Sequence, residues 1–466
     1  MGEIITKINA FLWGWPMLII LLGVGLFMTL RLRFPFIRHF KDMVHAIVPQ
    51  KDEDGVSTFA ALCTAIGGQV GTGNLAGVAT ALFSGGPGAV FWMWIASIVG
   101  MSTIFSEAVL GQIYREKDED GNYTGGPAYY LSKGVHSKFL SMFFAVVITI
   151  GVGVIIAMVQ ANSIVAGFSG TEATKSVPPL LIGVVVAVLA AVIIFGGIKK
   201  ISSFASVVVP FMAIAYVVVA IFIVVKNVAM LPSIFQLIFS RAFALKAVSG
   251  GVLGYTIKQA FRFGVARGMF SNDAGQGSTP NIHAAANAKH PATQGFAAMM
   301  SIVVDSLIIC SCTAFIILIS DTLETGKTSV ALTQVAMERE LGSFGPYFIL
   351  IAICFFCFTT VLADIYYGEV NLRWIFKKNY KKALVVFRII SLTGIIYSSV
   401  MTAGIIWELA DFGNAMMIIP NVIALFVLSG QVVYVLKDYE KQKNDGVEEP
   451  VWDYENGLEI LARRKK

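Results

Sequence analysis

Two glycine-interrupted stretches carry the groups in this chain that could do chemistry. The first is AIGGQVGTGNLAGVA, residues 65–79, and the second is RGMFSNDAGQGSTPN, residues 267–281. Each sits in a segment apolar enough to cross a bilayer, and each places Gly, Asn and a G-x-G pattern where a spanning helix would carry Leu and Val. Glycine is costly inside a helix, so both helices are expected to break there. A break frees N–H groups where its second half starts and carbonyls where its first half ends. The N–H groups near Thr72, Gly73 and Asn74 can hold a carboxylate, and the carbonyls around Phe270 and Ser271 can hold an ammonium. A zwitterion fits such a pair, approaching the backbone directly beside glycines such as Gly68, without the charged side chains that hydrocarbon penalises.

A second chemistry lies close by. Carbonyls released near Gly67 and Val70 suit a hard cation, which takes oxygen ligands. The segment FFCFTTVLADIYYGE, residues 355–369, offers adjacent hydroxyls at Thr359 and Thr360, with Phe356 one turn earlier placed in the same set. Neutral oxygens with no obligatory carboxylate favour sodium over a divalent ion. Two plainer readings stay open: Thr hydroxyls in membrane helices bond back to their own carbonyls, and glycines let helices pack closely. What favours a ligand site is that two such segments match, because Gly-interrupted spans in corresponding places of two halves point to a transporter's midplane site.

The elements that must position these residues follow from composition. Of 466 residues, 56% are hydrophobic and 14% charged, and the mean hydropathy is +0.75. Such a chain is an all-α integral membrane protein. Apolar stretches near 11–30, 56–83, 88–114, 139–168, 178–196, 202–225, 249–281, 292–320, 344–370, 383–401 and 408–436 predict about eleven transmembrane helices. Basic residues collect on one side: Arg31, Arg33, Arg38, Lys41, the run from Arg373 to Arg388, and the end of the chain from Arg463 to Lys466. That bias puts the N-terminus outside and the C-terminus in the cytoplasm. It also accounts for the net charge of +6 without a nucleic-acid partner.

The organisation expected is an extra N-terminal helix and cytoplasmic linker (1–55), a first five-helix repeat (56–225), a second (249–436) and a cytoplasmic tail (437–466). Five is odd, so the repeats must be inverted relative to each other. All five cysteines fall inside predicted spans, which argues for packing over a disulfide framework or a zinc site. The loop 321–343 is expected to lie as an amphipathic helix over the outside mouth. Arg267, about one turn before the second break, either bridges a carboxylate as an outside gate or makes a structural ion pair. The intramembrane acids Glu107, Asp305 and Asp364 are functional by default or else pin cytoplasmic helix ends. There is no H-E-x-x-H, no G-x-S-x-G and no Cys-His pair at a usable depth, so an enzyme is disfavoured. A channel would conduct without an amino acid, and a receptor would bind one without flux.

Over residues 11 to 436 the chain resembles the alanine or glycine:sodium symporter family. The resemblance is carried by GTGNLAGVATALFSGGPGAVFWMWIASIVGM, GGPAYYLSKG, RGMFSNDAGQGS with NIHAAA, and FTT with YYGE. It implies a LeuT-type fold of ten core helices in two inverted repeats, and sodium-driven import of a small neutral amino acid, alanine or glycine. Neither nucleic acid nor an obligatory protein partner is implied, and the short loops suit a bacterial inner membrane. Carried over, Gly71 to Asn74 matches the first break, with the Gly67 and Val70 carbonyls facing sodium and Thr359 and Thr360 completing its site. Ser271, Asp273, Gln276 and Gly277 match the second break, which lines the substrate pocket. Gln160 and Asn162, in QANSI, match a pocket or gate position, and an interhelical hydrogen bond is an equal alternative for them. The family more often has Glu where this chain has Asp273 and an apolar residue where it has Gln276, and Gln69 is a variable place. Amides pointing at the ligand make glutamine a credible alternative substrate.

Overall fold

The structure, a computed structural model, describes residues 2–48, 55–243, 256–457 and 461. The start of the span expected at 249–281, residues 49–54 of the linker expected before residue 56 and the basic end from Arg463 to Lys466 lie outside those residues. The first helix is kinked: α1 (Gly2–Leu12) meets α2 (Pro16–Arg31) at Gly14 and Trp15. Two short turns, α3 (Pro35–Arg38) and α4 (Phe40–His45), follow it. The first interrupted span is α5 (Thr58–Gln69) and α6 (Val78–Gly85), and α7 (Ala89–Ile113) packs behind it. A hairpin pairing Glu116–Lys117 with Tyr123–Thr124 leads to α8 (Pro127–Lys133). Then come α9 (Lys138–Ile150), running on into α10 (Ala157–Ser169), α11 (Pro179–Ile194), α12 (Gly197–Lys226) and α13 (Leu231–Ala242).

The second interrupted span is α14 (Ile257–Asn272) and α15 (Pro280–Ala285). It is followed by α16 (Pro291–Ile302), continuing into α17 (Ser311–Ile319), and by α18 (Ser329–Leu341), α19 (Phe344–Phe376), α20 (Tyr380–Ser398) and α21 (Ala403–Asn444). Among the described residues, seven helices are long and apolar enough to cross a membrane by length and composition. The rest of the expected eleven fall short for identifiable reasons. The spans α5–α6 and α14–α15 are cut in two, α11 has 16 residues, and α20 opens with Lys381 and Lys382 and carries Arg388.

Local chemistry explains where the interrupted helices start. Ser57 caps α5 by accepting the Ala60 N–H at 3.1 Å, and Thr256 with Gln259 closes a capping box on α14. Near the other ends, Val56 pairs with Ala286 as an isolated parallel bridge, and the Asn287 N–H donates to the Val56 carbonyl at 2.9 Å. The start of the first interrupted span therefore meets the end of the second. The two run antiparallel.

The buried core lies along α7, whose residues from Gly100 to Ile113 are all buried and which packs against α2, α14, α15 and α16. At the perimeter, α12 exposes Val207, Phe211, Ile214, Val218, Ile221, Phe222 and Val225, and α11 exposes Leu181, Val185, Val188, Leu189 and Val192. Apolar faces that wide call for lipid. α18 buries Val330, Leu332, Ala336 and Met337 and sends the Thr333 hydroxyl to the Leu75 carbonyl at 3.0 Å, so it covers the first break as expected of an amphipathic segment.

One ion pair fastens α19 to α20. The Arg388 guanidinium donates from Nε and Nη2 to the two Glu369 oxygens at 2.6 and 2.8 Å, with Glu369 fully buried. Bidentate geometry makes this pair strong, and removing one partner strands the other. Glu369→Ala is expected to destabilise the protein by about 3–5 kcal/mol, seen as a lower thermal midpoint in detergent, and Glu369→Gln by less. An unchanged midpoint for Glu369→Ala would show that the pair holds nothing together.

Candidate functional site

The first break begins where α5 ends at Gln69. Val70 turns to extended backbone, with φ −78° and ψ 92°, and the chain resumes after Thr72 in a wide π-type turn, Gly73–Gly77. The freed carbonyls converge on α19. The Thr360 hydroxyl lies 2.9 Å from the Gly67 carbonyl, 3.2 Å from that of Val70 and 3.0 Å from that of Phe356. One hydroxyl has one proton to give, so four oxygens gather here with more acceptor capacity than donors. That is the chemistry of a small hard cation. Thr359 differs, because its hydroxyl turns back to the Phe355 and Phe356 carbonyls at 3.1 and 2.9 Å, as Thr does in membrane helices. Its Cβ packs instead against Gly67.

The freed N–H groups are also engaged. Asn74 Oδ1 accepts the Gly71 N–H at 2.9 Å, and Gln160 Oε1 accepts that of Thr72 at 3.0 Å. A Cβ at Gly71 would lie 2.6 Å from the Thr360 hydroxyl and 2.8 Å from Gln160 Oε1, so any other residue there would displace one of these groups. The Thr72 hydroxyl pairs with Ser163 at 2.9 Å.

In the second break, α14 ends at Asn272 and Asp273 takes the left-handed conformation with φ 60°. Gly275 and Gly277, at φ 85° and 84°, carry the chain to Pro280, a conformation open to glycine at little cost. Glu107 holds this loop by accepting the Gly275 N–H at 3.1 Å and the Asn421 amide at 2.5 Å, while Asn421 donates to the Gly275 carbonyl at 2.9 Å and bonds to the Tyr130 hydroxyl. Gln276 Nε2 reaches back to the Met269 carbonyl at 2.7 Å. Gln69 Nε2 crosses from the first break to the Asn272 carbonyl of the second at 2.8 Å.

Both breaks converge on one carboxylate. Asp305 accepts from Asn74 Nδ2 at 2.6 Å, from the Ser271 hydroxyl at 3.0 and 3.1 Å, and from the Ser306 hydroxyl at 2.7 Å. It sits in a second π-type turn, Val303–Cys310, and a third, Gly151–Ile156, faces the site from the helix that joins α9 to α10. All three wide turns lie at the level of the breaks, where such turns concentrate in functional sites.

A narrow cavity of about 20 Å³ lies between the breaks, lined by Gly68, Gln69, Gly73, Gln160, Phe270, Asp273, Gln276, Ser278, Thr360 and Asp364, with Val152, Ile156, Asn414 and Met417. That volume has room for about one water molecule. Outside it opens a vestibule of about 190 Å³ containing Asn9, Trp13, Arg262, Arg267, Glu408 and Asp411. Phe270 lines both spaces. Its ring lies 5.6 Å from that of Trp407, and the Arg267 guanidinium sits 5.8 and 5.6 Å from the two rings. The outer wall is thus one layer of side chains, held by cation–π contacts.

The residues singled out in the sequence therefore divide. Gly68, Gln69, Gly73, Gln160, Phe270, Asp273 and Gln276 meet in the cavity, and Gly67, Val70, Phe356 and Thr360 meet in the oxygen cluster. Asn162 goes elsewhere: its amide donates to the Ser398 and Met401 carbonyls at 2.8 and 3.1 Å, satisfying the frayed end of α20. Gly277 lies against Pro127 and Phe144. Asn74 and Ser271 turn to Asp305 and Thr72 to Ser163, so their side chains brace the site. Asp305 and Asp364 lie at the breaks, away from the cytoplasmic helix ends where one reading put them. Val152, Ile156, Asn414 and Met417 carry no sequence signal that separates them from ordinary helix residues. Asp305→Ala removes the carboxylate that Asn74, Ser271 and Ser306 share and leaves Asn74 the main-chain carbonyl at 3.2 Å and Ser271 the Cys310 sulfur at 3.3 Å, at about 1–3 kcal/mol for a buried group that loses its main partner. The expected outcome is a lower unfolding midpoint with loss of ligand-dependent stabilisation, and wild-type values of both would contradict the bracing role.

A family model described as the sodium:alanine symporter family matches residues 1–454. Among curated relatives, the "Probable sodium/glutamine symporter GlnT" of Bacillus subtilis is 39% identical over 454 residues, covering 97% of this chain and 93% of its own. The sodium/alanine symporter AgcS of Methanococcus maripaludis is 36% identical over 461 residues, covering 95% of this chain and 98% of its own. Among solved structures, MhsT in complex with L-phenylalanine aligns over 88% of this chain and 97% of its own, at 14% identity and a TM-score of 0.49. The whole-length family match and the curated identities agree: this chain belongs to the sodium:alanine symporter family, multi-pass membrane transporters whose coupling ion is sodium.

Proposed function

We propose that this protein is a secondary active importer that couples inward sodium movement to uptake of a small neutral amino acid, alanine or glycine, by alternating access. The observation that carries the proposal is the meeting of two broken helices at one cavity, with an oxygen cluster at Gly67, Val70, Phe356 and Thr360 on its flank. Sodium occupies that cluster. The substrate carboxylate takes the Thr72 and Gly73 N–H groups, displacing Gln160 from Thr72, and the ammonium takes the carbonyls at the end of α14. A cavity sized for one water must widen first, and the layer formed by Phe270, Trp407 and Arg267 is the wall that moves to admit ligand from outside.

The fold we propose for this work is the LeuT-type arrangement, ten core helices in two inverted repeats of five plus one extra N-terminal helix. The seven long helices, the two interrupted spans, α11 and α20 supply eleven crossings, and the antiparallel run of the interrupted spans supports the inversion. The N-terminus lies outside and the C-terminus in the cytoplasm, in a bacterial inner membrane. Each sodium carried with a neutral substrate moves one positive charge, so a membrane potential adds about 2.3 kcal/mol per 100 mV and transport is electrogenic.

A second substrate reading has its own observation. Gln276 lines the cavity beside Gln69, so a polar side chain such as that of glutamine has an amide partner that alanine would leave unused. Uptake of alanine, glycine and glutamine into proteoliposomes, with sodium outside, inside or absent, tests both readings. Concentrative uptake is expected only with sodium outside, and undiminished uptake in potassium would exclude symport. Thr360→Ala is expected to raise the sodium requirement by tenfold or more, since a lost ligand to a charged species costs about 1.5–3 kcal/mol. Gln276→Leu is expected to shift preference toward alanine over glutamine, and an unchanged ranking would count against the amide as a selector.

A further inference from the structure

Three carboxylates are buried at the level of the breaks, Glu107, Asp305 and Asp364, and a fourth, Asp273, faces the cavity. Among the described residues no Lys or Arg is buried. An uncompensated charge in a dry interior is expensive, so each carboxyl needs hydrogen-bond donors or a cation. Glu107 and Asp305 are well supplied, as described above. Asp273 receives the Ser278 hydroxyl at 2.8 Å. Asp364 differs from the others: its side chain lines the cavity, it is 3% exposed, and its Oδ2 is buried with no hydrogen-bond partner.

Two further acceptors on the same cavity share that condition, Gln69 Oε1 and Asn414 Oδ1. The Gln69 assignment is fixed by chemistry, because its NH₂ already donates to the Asn272 carbonyl at 2.8 Å. Buried acceptors left without a donor are uncommon in native structures. Here they surround, with two carboxylates, a space of about 20 Å³. A water placed there has two protons to give and would leave the charge uncompensated. Oxygen acceptors without donors, around a space for one small sphere, form the ligand set of a hard cation.

We propose that Asp364, with Asp273, Gln69 and Asn414, binds a second transported sodium ion. The site is distinct from the oxygen cluster at Thr360, from which it lies one turn along α19. The proposal rests on the symport reading above and adds a ligand set and a stoichiometry to it. With both sites filled, two positive charges enter per neutral amino acid. The Asp364 carboxylate then crosses between outward- and inward-open states compensated, and the empty site resists the same passage, which ties substrate movement to sodium.

The test is the ratio of charge to amino acid carried by the full-length protein in proteoliposomes, from the potential at which net alanine flux vanishes under set sodium and alanine gradients. Radioactive sodium flux is counted alongside. Two sodium ions per alanine and a sigmoid sodium dependence are expected for the wild type, and one ion with a hyperbolic dependence for Asp364→Asn. The wild-type ratio decides the matter even if the variant fails to fold. A wild-type ratio of one overturns the second site while leaving symport standing, whereas the absence of any sodium-driven alanine or glutamine flux overturns symport itself. A ratio of two that persists in Asp364→Asn also refutes the assignment. So does a second charge that follows an imposed pH gradient instead of the sodium gradient, or a variant that keeps two ions and loses alanine binding at saturating sodium, which would give Asp364 to the substrate ammonium.

Discussion

Hydrocarbon offers no water to a stray N–H or C=O, and everything distinctive in this structure follows from breaking two helices there. Each freed group must find a protein partner or a ligand. The protein answers with side chains that reach across from neighbouring helices: Gln160 to Thr72, Thr360 to the Gly67 and Val70 carbonyls, Glu107 and Asn421 to Gly275. Asp305 ties Asn74 in one break to Ser271 in the other. A helix pair so braced cannot rearrange at one break without disturbing the second, which is a physical basis for coupling an ion at one to a zwitterion beside both.

The outer boundary of the site is thin, and the partners of its inner boundary are many. On one side, Phe270 lines both cavity and vestibule, with Arg267 and Trp407 packed around it. Inside, α15 is held by its bridge to Val56, by Gln112 Nε2 on the His283 and Ala286 carbonyls, and by the Asn371 amide on Asn281. Relatives named for alanine and for glutamine align over nearly the whole chain. On the function proposed above, a common backbone scheme serves both because the backbone groups meet what all amino acids share, leaving a position such as Gln276 to meet what differs.

Much of this was legible in the sequence, and the physical reason is the cost of glycine in a helix. GGQVGTGN and SNDAGQG stand out because close packing explains one such interruption better than two matched ones, and the pair Thr359 and Thr360 stands out as hydroxyls that freed carbonyls could use, although only the structure separates Thr360 at the carbonyls from Thr359 bonded back to its own helix. Asp305 was visible as an intramembrane acid, but its partners lie 34 and 231 positions away in the chain, so its bracing role was not. The wide turns at Gly151–Ile156 and Val303–Cys310 leave no mark in residue type, since one extra residue per turn changes no periodicity over so short a run. Asn162 shows the converse failure. It sits two positions from Gln160 and so points to another face of the helix, where the exposed end of α20 claims it.

The most direct test is hydrogen–deuterium exchange of the main-chain amides at residues 68–77 and 270–279, measured in detergent or nanodiscs. Sodium with alanine or glutamine is expected to protect both segments together, and potassium neither. Exchange at the two breaks that ignores sodium and amino acid, or protection confined to other helices, would contradict the claim that the opened backbone is where both are bound.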